Sequence, residues 1–257
     1  MKILCSIFVT CAVVYIGLLL FAFLFSEKLI FPTPKSTYEK IDGIKMLPLN
    51  DGRKIATLFF ENKKSKICVI YSHGNGEDLG KIYELMQQYR DKLNVNVFVY
   101  DYCGYGISEG KMSEPDLIEC ANVMYNYATT TLGFKPENMF FAGYSLGSYP
   151  TAYLAAKHSN AKGALFVGGV SRAIKTMLPY DIVPWKILHT VEYVAKTEIP
   201  ILFFHGTRDK TVHIRNGYEN LSVAKKGRLV KFKDYGHYPL FESQQYWSEL
   251  KRFINEL

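Results

Sequence analysis

A mostly parallel α/β sheet with helices on both faces is the fold class this sequence predicts. Three observations carry it. Short apolar runs recur along the chain; amphipathic stretches with helical spacing separate them; and the runs are continuously apolar rather than alternating, as strands covered on both faces require. The 257 residues, 48% hydrophobic and 15% aromatic, give room for one such domain with a sizeable core and argue against disorder. A net charge of +7 is a mild basic bias rather than a nucleic-acid signature. The sequence contains no zinc spacing, phosphate loop or dinucleotide fingerprint.

The first element is apolar. Ile3 to Phe25 is 23 residues without a charge, long enough as a helix to cross a hydrocarbon core of ~30 Å. A cleaved signal peptide would end in small residues, whereas cleavage after Ser26 would leave Leu24 at the −3 position. Residues 1–26 are therefore expected to be an uncleaved membrane anchor. Lys2 precedes the span, while Lys28, Lys35 and Lys40 lie just beyond it, which favours a cytoplasmic position for the remainder of the chain. The weakly basic start and the sequon Asn220-Leu221-Ser222 favour the opposite side. Cys68, Cys103 and Cys120, an odd number outside the span, lean towards a reducing compartment. Sidedness stays open.

Residues 27–40, containing EKLIFPTP, are expected to be an extended tether, because prolines 32 and 34 disfavour helix. IKMLPL and KIATLFFEN flank the turn signal Asp51-Gly52 as two strands, and they open the domain expected over 41–257. ICVIYSHG (67–74), NVFVYDY (96–102), MFFAGYS (139–145), GALFVGG (163–169), ILFFHG (201–206) and RLVKFKDY (228–235) supply six more. Helical spacing marks DLGKIYELMQQYRDKL, PDLIECANVMYNYATTTL and LGSYPTAYLAAKH. In QQYWSELKRFINEL, Trp247, Leu250, Ile254 and Leu257 form a core stripe. Residues 170–198 are the candidate cap, with Met177, Tyr180, Ile182 and Trp185 as an apolar lining or as ordinary packing.

The chemistry concentrates at FAGYSLGSYP. Ser145 sits between Gly143 and Gly147 at a strand-to-helix turn, where a strained elbow would lift its hydroxyl above the sheet. Serine needs a base and an orienting acid to act as a nucleophile. For this architecture they come after it in the order acid, then histidine. Asp209 and His237 each lie just beyond a strand, so their loops converge with Ser145 at the carboxyl ends of the strands. Asp181 is the competing acid. The backbone amides of Asn75, in HGNGED, and Leu146 are the candidate oxyanion donors. His73 and His205 read as buried hydrogen-bonding groups, and His158 and His189 as surface or helix-end residues. His213 comes too soon after the acid to be its partner. Asp101 precedes Ser145 and reads as a loop-fixing carboxylate. No metal or organic cofactor is required for acyl transfer by these groups.

SHGNGED, DYCGYGISEG, GYSLG, HGTRD and YGH, in that order over residues 40–257, resemble the α/β-hydrolase superfamily. The likeness is nearest to the small membrane-anchored, serine-aminopeptidase-like abhydrolase-domain group. The resemblance implies a serine hydrolase acting on ester or thioester bonds. A bilayer tether and an apolar mouth suggest lipid, lysophospholipid or S-acylated protein substrates. A peptidase, or a catalytically idle tethered binding protein, is the alternative. Cys103 stands where many relatives have arginine, and HGTRDKTVH ends in histidine where proline is common. Lys225, Lys226, Arg228, Lys231 and Lys233 read as a solvated turn, or as a contact for anionic headgroups.

Overall fold

The computed structural model describes residues 2–177, 185–238 and 240–257. Helix α1 (Lys2–Ile30) comes first. Its Cys5–Phe25 stretch has a mean hydropathy of 2.7 and none of it is buried by the rest of the protein. At 1.5 Å per residue this stretch is roughly 30 Å long, enough to cross a bilayer core. The helix continues through Glu27 and Lys28 to Ile30, so the extended segment starts at Phe31 rather than at residue 27. Pro32 sets that boundary, since the residue before a proline is pushed out of helical geometry.

Among the described residues the strands form one eight-stranded sheet in the order β1-β2-β4-β3-β5-β6-β7-β8. They are β1 (Lys45–Pro48), β2 (Lys54–Phe60), β3 (Cys68–Ser72), β4 (Asn96–Tyr100), β5 (Met139–Tyr144), β6 (Gly163–Val167), β7 (Ile201–Gly206) and β8 (Gly227–Phe232). β1 and β2 pair antiparallel, as do β2 and β4. All pairings from β4 through β3 to β8 are parallel.

The helices are α2 (Leu79–Leu93), α3 (Glu114–Thr130), α4 (Ser148–Lys157), α5 (Ala173–Met177), α6 (Thr190–Lys196), α7 (Arg215–Val223) and α8 (Gln244–Glu256). Successive strand residues point to opposite faces, which divides the core in two. Ile70, Phe141, Phe166 and Phe203 pack towards α3 and α4. Val69, Phe140, Leu165, Leu202 and Phe204 pack towards α2 and α8. The continuous apolar runs are the consequence: every position of β3 to β6 except the last of β5 is buried. Asp78 caps α2 by accepting from the Lys81 amide at 3.0 Å.

α6 and α7 were not expected from the sequence. Within α7, Asn220 is fully buried and its side chain donates to the Val170 carbonyl at 3.2 Å. The sequon is thus closed to modification in the folded domain. In the basic cluster, Lys225 pairs with Glu198 and Arg228 lies 2.9 Å from Glu249. Lys226, Lys231 and Lys233 stand in solvent.

Candidate active site

The turn after β5 carries the strain the sequence pattern called for. Ser145 has φ 52°, in the left-handed region that costs a side chain of this kind energy and favours glycine. A single tight turn over Ser145–Gly147 then leads into α4. Both flanking glycines are required by contact. A β-carbon on Gly143 would collide with the Gly147 carbonyl, and one on Gly147 with the Ser72 carbonyl of β3. The Ser148 hydroxyl closes the turn by donating to the Ser145 carbonyl at 2.7 Å.

Asp209 lies in the loop after β7, its carboxylate fully buried. One oxygen, Oδ1, accepts from the amides of Thr211 at 2.9 Å and Val212 at 2.8 Å. The other, Oδ2, accepts from Nδ1 of His237 at 2.7 Å. A carboxylate only accepts, so this bond puts the His237 proton on Nδ1 and leaves Nε2 as an acceptor. Burial pushes the Asp209 carboxyl upward. Hydrogen bonds from His205 and His237, and the attraction to His237, outweigh burial and hold it well below the usual carboxylate range.

Ser145 sits between two hollows. On one side it shares a cleft of about 410 Å³ with His237, Tyr144, Glu77 and Lys81. On the other it lines a cavity of about 200 Å³ with Ile30, Leu146, Val170 and Leu188. Asn75, in the loop after β3, lines both. Its side chain is held at both ends: Nδ2 donates to the Ile30 carbonyl at 2.6 Å, and Oδ1 accepts from Tyr105 at 2.7 Å. Asn75 and Leu146 thus line the same cavity as Ser145. Such a set offers a hydroxyl, an imidazole fixed by a carboxylate, and two candidate amide donors, the groups that acyl transfer uses.

No protein-family model matches the chain. Alpha/beta hydrolase domain-containing protein 17C of Xenopus tropicalis is 30% identical over 201 residues, covering 74% of this chain and 62% of that protein. Human alpha/beta hydrolase domain-containing protein 17B is 26% identical over 220 residues, covering 82% and 74%. The chain has the α/β-hydrolase fold and is similar in sequence to these alpha/beta hydrolase domain-containing proteins. It spans about three fifths of the length of the 17C relatives it matches. Among superfamily members of solved structure, an esterase of Pyrococcus furiosus superposes with a TM-score of 0.71 at 15% identity, covering 87% of this chain and 96% of that one. An esterase of Rhodococcus gives 0.65 at 17%, covering 84% and 99%. These two likenesses concern the fold.

The site also holds residues that sequence reasoning sets aside or misses. His205 is buried, and its Nε2 donates to the Val212 carbonyl at 2.7 Å, 3.4 Å from Asp209 Oδ2. It braces the loop that carries the acid; its spacing of four residues from Asp209 was the available signal. Glu77 is a second omission. Its Oε2 accepts from the Gly74 amide at 2.7 Å and so shapes the Asn75 loop. Burial pushes the Glu77 carboxyl up, opposed by that amide and by His237. Tyr144 donates to the His237 carbonyl at 3.2 Å.

Asp101 fixes a loop as expected. It accepts from the Leu79 amide at 2.8 Å and from Tyr38 at 2.5 Å. His73 is buried and held down to about 4 by that burial. The candidate lining divides. Trp185 lines a neighbouring cleft with Phe23, Leu24, Ile30 and Phe31 rather than either of the two hollows at Ser145. Met177 ends α5, and its side chain lies outside the described part of the structure. Tyr180, Asp181 and Ile182 lie outside the described residues.

Proposed function

We propose that the chain is a membrane-anchored serine hydrolase that transfers acyl groups from esters or thioesters to water. In this reading Ser145 attacks the carbonyl while Nε2 of His237 takes its proton. Asp209 holds the imidazole and stabilises its charged form. The Asn75 and Leu146 amides receive the tetrahedral oxyanion, and His237 returns the proton to the leaving group; water, giving a proton to His237, then attacks the acyl-serine, and the proton passes to Ser145 as the acid leaves. The observation that carries the reading is the combination at one cleft. A serine is held at φ 52° beside a histidine whose Nδ1 is committed to a buried carboxylate at 2.7 Å.

Esterases among the superposed structures support hydrolysis, and the apolar span of α1 supports an anchor. Together with the apolar walls near Ser145, these favour lipid, lysophospholipid or S-acylated protein substrates. The test is labelling of the full chain by a fluorophosphonate. Adduct formation at Ser145, lost in Ser145→Ala, is the expected result; an unmodified Ser145 in folded protein would refute the proposal.

A further inference from the structure

We infer that the substrate's long alkyl chain lies against the anchor helix itself, in a continuous passage from Ser145 between α1 and residues 185–188. This rests on the acyl-transfer reading of Ser145 and adds where the chain goes and how it arrives.

Ile30, the last residue of α1, lines the cavity of about 200 Å³ that exposes Ser145. The same side chain lines a second cleft of about 300 Å³, whose other walls are Phe23, Leu24, Phe31, Trp185 and Ile187. Leu188 on the inner cavity and Ile187 on the outer one are sequence neighbours, so both walls run through from one hollow to the next. The outer cleft is framed by an edge-to-face contact of Phe23 with Trp185, ring centres 5.7 Å apart.

The end of α1 is fixed to the site and does not hang from it. Phe31 is buried in the core. The Ile30 carbonyl, one of those a helix end leaves without an internal partner, accepts from the Asn75 side chain at 2.6 Å. Two charged residues line the outer cleft, and both are engaged. Glu114 accepts from Tyr149 and from the Leu188 amide, while Lys186 pairs with Glu192 at 2.7 Å.

Phe23 and Leu24 close the apolar stretch that runs from Cys5 to Phe25. The outer cleft therefore opens where the hydrocarbon would end, and an alkyl chain reaches Ser145 along α1 without crossing water. The other hollow at Ser145 carries the charged side chains Glu77 and Lys81 together with Tyr238, and it receives the leaving group.

The experiment uses full-length protein in vesicles and a long-chain alkyl fluorophosphonate bearing a diazirine, either mid-chain or at the chain end. After reaction at Ser145 and illumination, mid-chain crosslinks are expected at Ile30 or Leu188 and terminal ones at Phe23, Leu24 or Trp185. Crosslinks at Glu77, Lys81 or Tyr238, or to lipid alone, would overturn the inference while leaving the nucleophile intact. No adduct at Ser145 would instead overturn the underlying acyl-transfer reading. A second readout is Ile187→Trp, which narrows the outer cleft. Each methylene excluded is worth about fourfold, so loss of two should lower the long- to short-chain kcat/KM ratio about 16-fold. An unchanged ratio would also overturn it.

Discussion

Replacing Asp209 by asparagine changes one atom and, through it, the protonation of the base. The amides of Thr211 and Val212 both donate to Oδ1, at 2.9 and 2.8 Å, so the asparagine oxygen must take that position. Its NH₂ group then falls where Oδ2 was, 2.7 Å from Nδ1 of His237. Two donors cannot share that contact. The imidazole moves its proton to Nε2, where it can no longer accept from Ser145. The equivalent change in a serine protease triad lowers turnover ~10⁴-fold, which is about 5 kcal/mol of barrier at 1.36 kcal/mol per tenfold. The loss should appear in kcat, since substrate contacts are untouched. Stability should fall by about 1.5–3 kcal/mol, the worth of a hydrogen bond to a charged group. Ester hydrolysis by matched domains, circular dichroism and ¹⁵N spectra of the imidazole together measure this. A loss below about tenfold in folded protein, or a proton still on Nδ1, would refute the reasoning.

Three further outcomes are expected. Burial pushes the Asp101 carboxyl up to about 7, against the bonds from Tyr38 and Leu79, while an unfolded aspartate titrates near ~3.9. Between those values the folded state holds the extra proton, so stability falls as pH rises. Asp101→Asn should remove that slope, the Tyr38 hydroxyl turning to accept from the new NH₂ group; a wild-type melting temperature flat from pH ~4 to ~7 would contradict this. Gly147→Ala drives a β-carbon into the Ser72 carbonyl and should cost at least ~1–3 kcal/mol, which an unaltered thermal melt would disprove. Deleting residues 1–25 should release the domain from membranes once high salt screens the basic surface; carbonate-resistant association of the truncated chain would count against α1 as the anchor.

The sheet was legible because its strands are buried on both faces, which turns them into continuous apolar runs. α8 was legible from the spacing of Trp247, Leu250 and Ile254. α6 was not, since seven residues are too few to establish a period. α7 hides behind Gly217 in its first turn, a poor helix former that is needed there because a β-carbon would come within 2.9 Å of the His205 ring. At the site, chain order singled out Ser145, Asp209 and His237, as it encodes which strand ends they occupy; the structure bonds His237 to Asp209 and puts Ser145 in the same cleft as His237. His205 and Glu77 escaped because bracing a loop requires no particular order. Ile30 could not be read at all: its part in the cavity depends on α1 continuing through Glu27 and Lys28 to reach the Asn75 loop.

The central claim is that Ser145, held at φ 52°, is a nucleophile and not merely a turn residue. Its most direct measurement is hydrolysis of a medium-chain p-nitrophenyl ester by wild-type and Ser145→Ala proteins, both shown folded by circular dichroism. Removing one member of a triad can cost roughly 10⁶-fold in turnover, and a loss of that order with the fold retained is expected. Equal rates from the two proteins would contradict the claim.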